Sequence, residues 1–331
     1  MIIRKRAYPR AGLIGNPSDG YFGRTIAFTF QNFCAEVVLY ESPELNILPS
    51  ERDHSIFSSM KQLVDDVNNY GYYGGIRLLK AAVKKFYQYC RKEKIKLEKK
   101  NFTIRYTSNI PHLVGLGGSS AIIKACMDAL MTFYSVRIPE PEYANIVLSV
   151  ETEELGISAG LQDRVAQVYG GLVYMDFNRD AMKNQGYGIY ERLDPKLLPK
   201  LYIAFVTKKK QGSEVFHNNI RERYNRGEEK VVSAMEFWAQ ITDQCKDCLI
   251  RRKKSRLSEL IDSNFDKRRE LYRLSSFDLK MVETARSTGA SAKYTGSGGA
   301  IVGTYKNAEM FTEISQKLSS MDIQVLRPVI R

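Results

Sequence analysis

The stretch 111–121, PHLVGLGGSSA, constrains this chain most, because Gly115, Gly117 and Gly118 stand between a strand pattern and a helical one. Residues 101–108 alternate, with Phe102, Ile104 and Tyr106 on one face of a half-buried strand. Residues 121–134 have helical spacing. The glycines permit a backbone path that brings N–H groups close to a ligand, and Ser119 and Ser120 fall where an N-cap and first turn are expected. Unpaired N–H groups and the helix dipole favour an anion there, the dipole by about 0.3–1 kcal/mol per charge at exposed sites. An ordinary strand-to-helix turn has the same wording, and no Gly-Lys-Ser/Thr closes the loop as in a P-loop. Other stretches have to decide between the two.

At 331 residues, two lobes or one large α/β unit are expected. No segment approaches the roughly 18 consecutive apolar residues of a membrane helix, and the start, MIIRKRAYP, lacks the apolar run of a signal peptide, so a cytoplasmic protein without membrane association is expected. The five cysteines (Cys34, Cys90, Cys126, Cys245, Cys248) have no repeating spacing and predict free thiols; Cys245 and Cys248 lie in a helical pattern and read as structural. His54, His112 and His217 are scattered. Fifty lysines and arginines against 37 acidic residues give a net charge of +13, which suits nucleic acid, an anionic surface or anionic small molecules. Runs such as Lys84-Lys85 and Arg251-Arg252 sit in helical stretches and read as solvated faces. No nucleic-acid motif accompanies them, so no nucleic-acid partner is expected.

Taken in order, residues 10–15 form a short apolar strand that enters NPSDGYFGR, leaving Asp19 and Arg24 on a loop. Residues 25–40 predict β structure. Helix is predicted over 58–68, then a break over 70–75 and an amphipathic helix over 76–92. After the glycine loop and its helix comes a second helix, 142–154, and then GISAGLQDR, with a strand over 172–177. Glu151 closes that helix and Asp163 opens a short one, so two carboxylates can converge across a glycine-punctuated turn. Phosphoryl transfer needs such groups, one holding Mg²⁺ and one orienting and deprotonating a hydroxyl, although helix-end carboxylates also serve as caps. The change of lobe is placed near 187–201, giving an N-terminal lobe over 1–190 and a C-terminal lobe over 191–331. The latter begins with a strand over 201–206 and is mostly helix over 213–277, with a polar-faced run around Asn264. A helix over 277–288, a second glycine cluster, KYTGSGG, and a β-α-β ending with strands over 300–305 and 323–330 complete it.

Three glycine-rich stretches in this order resemble the GHMP small-molecule kinases. The first is Arg10, Gly15 and Asp19; the second Pro111, Gly115-Leu116-Gly117 and Ser119-Ser120; the third Lys293, Thr295, Gly296, Gly298 and Gly299. The spacing of Glu151, Gly156, Gly160 and Asp163 is similar to the segment that links metal ligand and base in the family's sugar kinases. The resemblance implies an α+β, two-lobed fold with mixed and antiparallel sheets covered by helices, and ATP as co-substrate with Mg²⁺. It implies that Pro111 and Gly115 to Ser120 (Gly115, Leu116, Gly117, Gly118, Ser119, Ser120) bind the nucleotide, and that Glu151 and a serine hydroxyl hold the metal. Gly118 displaces the serine pair by one, so Ser119 takes the metal place and Ser120 is the second candidate. Asp163 would be the base, with Arg10 holding it ionised and offsetting transferred charge. Gly296, Ser297 and Gly298 would close over the substrate.

In the family's sugar kinases the counterpart of Asp19 accepts sugar hydroxyls, and the preceding loop carries Glu-His where this chain has Asn16-Pro17. Asn16, Asp19 and Gly20 are the loop residues expected to bind the substrate. Losing an acidic residue there, with Arg24 on the loop, Arg164 beside the base and the basic balance, favours an anionic sugar, and Arg24 and Arg164 are the candidates for its carboxylate. Longer wording, GNPSDGYFGRT from Gly15, GYYGGIR from Gly71, GLQDRVAQVYGG from Gly160 and NFD from Asn264, resembles the uronic-acid branch of the family. It implies ATP-dependent phosphorylation of D-glucuronate at the anomeric hydroxyl to the 1-phosphate, a salvage step towards UDP-glucuronate. The rival readings are a kinase for galacturonate, arabinose, fucose or a heptose phosphate, and a catalytically silent sensor on the same fold. The intact set Ser119, Glu151 and Asp163 speaks against the sensor. A monomer and a homodimer both stay open.

Overall fold

The computed structural model describes residues 1–50, 53, 59–61, 74–207 and 219–331. The chain runs through β1 (Ile2–Ala7), β2 (Arg10–Ile14), β3 (Arg24–Thr29), β4 (Ala35–Ser42), β5 (Asn46–Ile47), α1 (Gly75–Lys92), β6 (Asn101–Ser108), α2 (Gly118–Phe133), α3 (Glu140–Ser149) and α4 (Leu161–Tyr169). It continues through β7 (Leu172–Asp176), α5 (Arg179–Gln185), β8 (Ile189–Leu193), β9 (Leu201–Val206), α6 (Ile220–Asn225), α7 (Glu229–Ile250), α8 (Lys254–Leu271), α9 (Ser276–Arg286), β10 (Lys293–Tyr294), β11 (Ala300–Thr304), α10 (Ala308–Ser319) and β12 (Ile323–Leu326). Met1–Pro9, Phe33–Leu113 and Gly117–Val168 form one compact unit; Arg10–Asn32, Val114–Leu116 and Tyr169–Arg331 form a second. The helix expected over 58–68, the break over 70–75 and the start of the helical stretch at 213 lie largely outside the described residues.

In the first unit, β1, β4, β6 and β5 pair in that order, antiparallel except for β5 on β6. Ile3, Leu39 and Ile104 stand opposite one another, and Val37 opposite Tyr106, which gives the apolar face read from the alternation. Helix α2 packs on β1 and β4 on one side and on α1 and α3 on others. It is accordingly buried around most of its circumference, through Ala121, Ile122, Ile123, Cys126, Leu130 and Phe133. Each fully buried large apolar side chain contributes about 1.5–3 kcal/mol. Gly75 begins α1 against Tyr106, where a Cβ would stand 1.9 Å from the ring. The helix expected over 142–154 is α-helical only to Ser149; Val150–Glu154 widens into a π-helical turn.

In the second unit, β2, β3, β7 and β8 form an antiparallel sheet, and β10, β11, β9 and β12 form another. Strands β11 and β12 both run antiparallel to β9 between them, so the expected β-α-β ending is split by β9. Helix α7 packs on β2 and β3, and α8 on α7, β2, β10 and β11. Tyr202, Ala204, Phe265, Met281, Ile301 and Ile314 share one core. The stretch expected as a change of lobe contains β8, an edge strand paired with β7. Its exposed Ile189, Glu191 and Arg192 hid it from pattern reading.

The α+β class with mixed and antiparallel sheets is as expected. All five cysteines are free, and burial raises the thiol pKa of Cys126 and Cys245. Among the described residues no helix is long and apolar enough to cross a membrane.

Candidate active site

Between β6 and α2 the backbone is left-handed at Leu113, Gly115 and Gly117, with φ of 57°, 68° and 73°. Turns of this kind point backbone N–H groups into anion-binding concavities. Gly117 is the N-cap and no side chain caps the helix, so the serine cap expected from the sequence is replaced by glycine. The serines follow in the first turn. Ser120 is 1% exposed and its Oγ donates to Gly117 O at 3.1 Å. Ser119 is partly exposed, and its hydroxyl makes no hydrogen bond to a described residue. Gln167, one turn beyond Asp163 on α4, donates to Gly117 O at 2.8 Å and to Tyr8 O at 2.9 Å, which fixes α4 to the start of α2.

The same unit holds the two carboxylates. Glu151 lies in the π-helical turn and is 2% exposed; Ile157 N donates to its carbonyl at 2.8 Å as the chain reverses through Gly156, φ 64°. Arg164 Nε donates to Glu151 Oε2 at 2.8 Å, its Nη2 reaches the same oxygen, and Nη1 donates to Gly160 O at 2.9 Å and to Asp163 Oδ2 at 3.3 Å. Arg164 thus ties Glu151 and Asp163 together. The Asp163 side chain is 20% exposed against 3% for Glu151, which leaves it the more accessible proton acceptor.

In the second unit the three glycine motifs meet at Arg10. This residue is 4% exposed on β2; its Nη1 donates to Gly115 O at 2.5 Å and to Thr295 O at 3.4 Å, and its backbone N–H to Leu116 O at 3.1 Å. A Cβ on Gly115 would stand 2.9 Å from Gly298 O and 3.3 Å from Ser297, and one on Gly296 3.1 Å from Arg10 Nη2. Such close approach of backbones requires glycine.

The loop after β2 is pinned from two sides. Asn264 Oδ1 accepts from Gly15 N at 2.6 Å and its Nδ2 donates to Asn16 O at 3.1 Å. Lys293 Nζ donates to Asn16 Oδ1 at 2.5 Å, Gly12 O at 2.8 Å and Tyr294 O at 2.8 Å. Burial among these neutral acceptors holds the lysine pKa well below its ordinary value. Asp19 and Gly20 lie in a 3₁₀ turn, Ser18–Tyr21, and Gly20 O accepts from Arg221 Nη1 at 2.5 Å. Arg24 opens strand β3 rather than sitting on the loop; its Nε donates to Asp176 at 3.0 Å and its Nη1 to Asp243 at 3.1 Å. Both arginines picked from the sequence for the substrate acid, Arg24 and Arg164, are therefore engaged by carboxylates of the chain.

Sequence reading gave Arg268 no place in the site; Gln167, Asn264 and Lys293 stand in its motif stretches without a role for their side chains. The polar-faced run NFDKR carried a signal: Asn264 and Arg268 are four apart on α8, hence on one face, and they turn inward at 1% and 7% exposure.

Residues 77–171 match the model of the GHMP kinases N terminal domain. Glucuronokinase 1 of Arabidopsis thaliana is 45% identical over 306 residues, covering 91% of this chain and 84% of that protein. Among solved structures, the mevalonate kinase of Methanococcus jannaschii superposes with a TM-score of 0.71 at 19% identity, over 100% of this chain and 98% of that one. The galactokinase of Lactococcus lactis complexed with galactose superposes with a TM-score of 0.75 at 13% identity, over 99% and 93%. These two likenesses establish the fold, and the extent of the likeness to glucuronokinase 1 establishes the family. The chain belongs to the GHMP kinase family.

Proposed function

We propose that the chain transfers the γ-phosphoryl group of ATP to the anomeric C1 hydroxyl of D-glucuronate, releasing ADP and glucuronate 1-phosphate. The observation that carries this reading is the 45% identity to glucuronokinase 1 along 91% of the chain. The product is one uridylyl transfer away from UDP-glucuronate, so the reading is of a cytosolic salvage kinase.

On this reading the N–H groups of the uncapped first turn of α2 and the left-handed loop before it receive the ATP phosphates. Ser119 would hold Mg²⁺, and Glu151 would join it by exchanging its buried ion pair with Arg164 for the metal. Among the described residues no cluster of three or more His, Cys, Asp or Glu could cage a metal. One carboxylate and one hydroxyl are hard oxygen donors, and they suit a Mg²⁺ ion that takes its remaining ligands from phosphates and water. Bound with ATP, Mg²⁺ supplies neutralisation of phosphate charge. Asp163 accepts the proton of the C1 hydroxyl, oriented by Arg164 Nη1 at 3.3 Å. Asp19 accepts the sugar hydroxyls; Asn16 and Gly20, also expected there from the sequence, have oxygens that already accept from Lys293, Asn264 and Arg221 and instead shape the loop that carries Asp19. Arg10 holds Gly115 and Thr295 in place, and the Gly296–Gly298 backbone lies against Gly115.

The test is a panel of D-glucuronate, D-galacturonate, L-arabinose, L-fucose, D-galactose and D-glucose with ATP, followed by ADP release and by ³¹P NMR of the product. Preferred turnover of D-glucuronate to an anomeric phosphate is expected. Equal turnover of the neutral hexoses would sink the sugar-acid assignment.

A further inference from the structure

The second unit holds a buried cation that the reading above leaves without a role. Arg268 on α8 is 7% exposed, and Nη1 donates to Gly296 O at 2.9 Å. Its Nε is fully buried without a hydrogen-bond partner, and the guanidinium makes no ion pair with a described residue. The group lies over the Tyr272 ring at 5.1 Å and the Tyr294 ring at 5.2 Å. Burial lowers its pKa, opposed by the fields of Tyr272, Tyr294, Asp278 and Asp19. A buried guanidinium with open donors is costly to the fold, and an anionic ligand relieves that cost.

Its neighbours identify the ligand's surroundings. One turn earlier on the same face, Asn264 grips Gly15 and Asn16; Arg268 itself grips Gly296. One turn later, Tyr272 lies in the field of Asp19, Tyr21 and Arg221. A line of side chains along α8 and onto its C-cap Tyr272 therefore runs from the Asn16 loop past the third glycine motif to the surroundings of Asp19. Arg24 and Arg164, by contrast, already hold carboxylates. The planar guanidinium fork matches a carboxylate in a way that a lysine does not.

Resting on the glucuronate reading, we propose that Arg268 binds the carboxylate of the sugar acid through the guanidinium edge that Gly296 leaves open, and so sets the preference for a uronic acid over a neutral hexose.

The test compares wild type, Arg268→Gln and Arg268→Lys in steady-state kinetics with ATP-Mg²⁺ and D-glucuronate. The stabilisation of Tm by D-glucuronate and by D-glucose gives a binding readout independent of turnover. The expected result for Arg268→Gln is a KM for D-glucuronate raised roughly 10- to 100-fold, the worth of one charge-assisted hydrogen bond, with the KM for ATP within about twofold of wild type. Arg268→Lys keeps the charge without the fork and falls between the two, and it serves alone if the glutamine variant does not fold. The Tm advantage of D-glucuronate over D-glucose shrinks in step. A rise in the ATP KM, or a fall in kcat with the glucuronate KM unchanged, would assign the guanidinium to the phosphoryl side and overturn the proposal. Equal loss of acid and neutral sugar, or a lowered Tm with both KM values unchanged, would show a structural role and overturn it as well. Failure of the glucuronate reading itself is distinguishable, because wild type would then show no preference for the acid.

Discussion

Arg164 donates through Nε to Glu151 Oε2 at 2.8 Å, and the two side chains retain only 5% and 3% of their exposure. A buried pair of this kind is weak evidence of net stabilisation but is costly to break from one side. Arg164→Met leaves the Glu151 carboxylate buried without its main partner and is expected to destabilise the first unit by about 3–5 kcal/mol. The double variant Arg164→Met, Glu151→Met removes both charges and is expected to recover most of that loss in urea denaturation. A double variant less stable than either single one would show that the pair is a net contributor after all.

Asp163 keeps a fifth of its side-chain exposure beside Arg164, as a group that meets a substrate hydroxyl must. If it takes the proton, Asp163→Asn lowers kcat by about 10²–10⁴-fold while ATP binding, measured by calorimetry, stays near wild type. A variant that loses ATP binding in parallel with kcat would place Asp163 in the nucleotide site and remove it as the base.

The two serines of the α2 first turn separate by what their hydroxyls touch. Ser120 Oγ is buried on Gly117 O, so Ser120→Ala is expected to cost about 0.5–1.5 kcal/mol of stability and to leave the Mg²⁺ requirement unchanged. Ser119→Ala is expected to raise the Mg²⁺ concentration for half-maximal activity with little change in Tm. A Mg²⁺ titration of both variants decides which serine ligates the metal, and the reverse pattern would transfer the role to Ser120.

Much of the local backbone around the candidate site was legible because it depends on local rules. The alternation of Phe102, Ile104 and Tyr106 and the glycines at 115 and 117 each encode a backbone requirement that neighbours in sequence reveal. What stayed hidden depends on partners far along the chain. Arg24 finds Asp176 and Asp243 at separations of 152 and 219 residues, so no local pattern could show that its charge is already met. The N-cap shifted from serine to Gly117 because the loop enters the helix through a left-handed residue, a conformation that glycine adopts at little cost. Arg268 stayed hidden for another reason: basic side chains are usually solvated, and only tertiary packing turns this one inward. Lys293 stands in the third motif, but its buried contacts with Gly12 and Asn16 are equally non-local.

Lys293 gives a prediction about pH. The residue is 1% exposed and its ammonium donates, among the described residues, to Gly12 O, Asn16 Oδ1 and Tyr294 O, while burial first and the repulsion of Arg268 and Arg10 after it lower its pKa in the folded state. In the unfolded chain a lysine titrates at about 10.4. Between the lowered folded value and that limit the unfolded state binds more protons at this site, so the contribution of Lys293 to stability rises with pH and levels off above the unfolded value. Lys293→Met removes the titration but strands Gly12 O, Asn16 Oδ1 and Tyr294 O. That variant is expected to lose roughly 1–3 kcal/mol for each buried acceptor left without any other partner. The Tm difference between wild type and Lys293→Met should therefore widen as pH is raised towards 10. A gap that narrows over that range would mean that the ammonium, with its proton, is the stabilising form, and that its acceptors outweigh its burial.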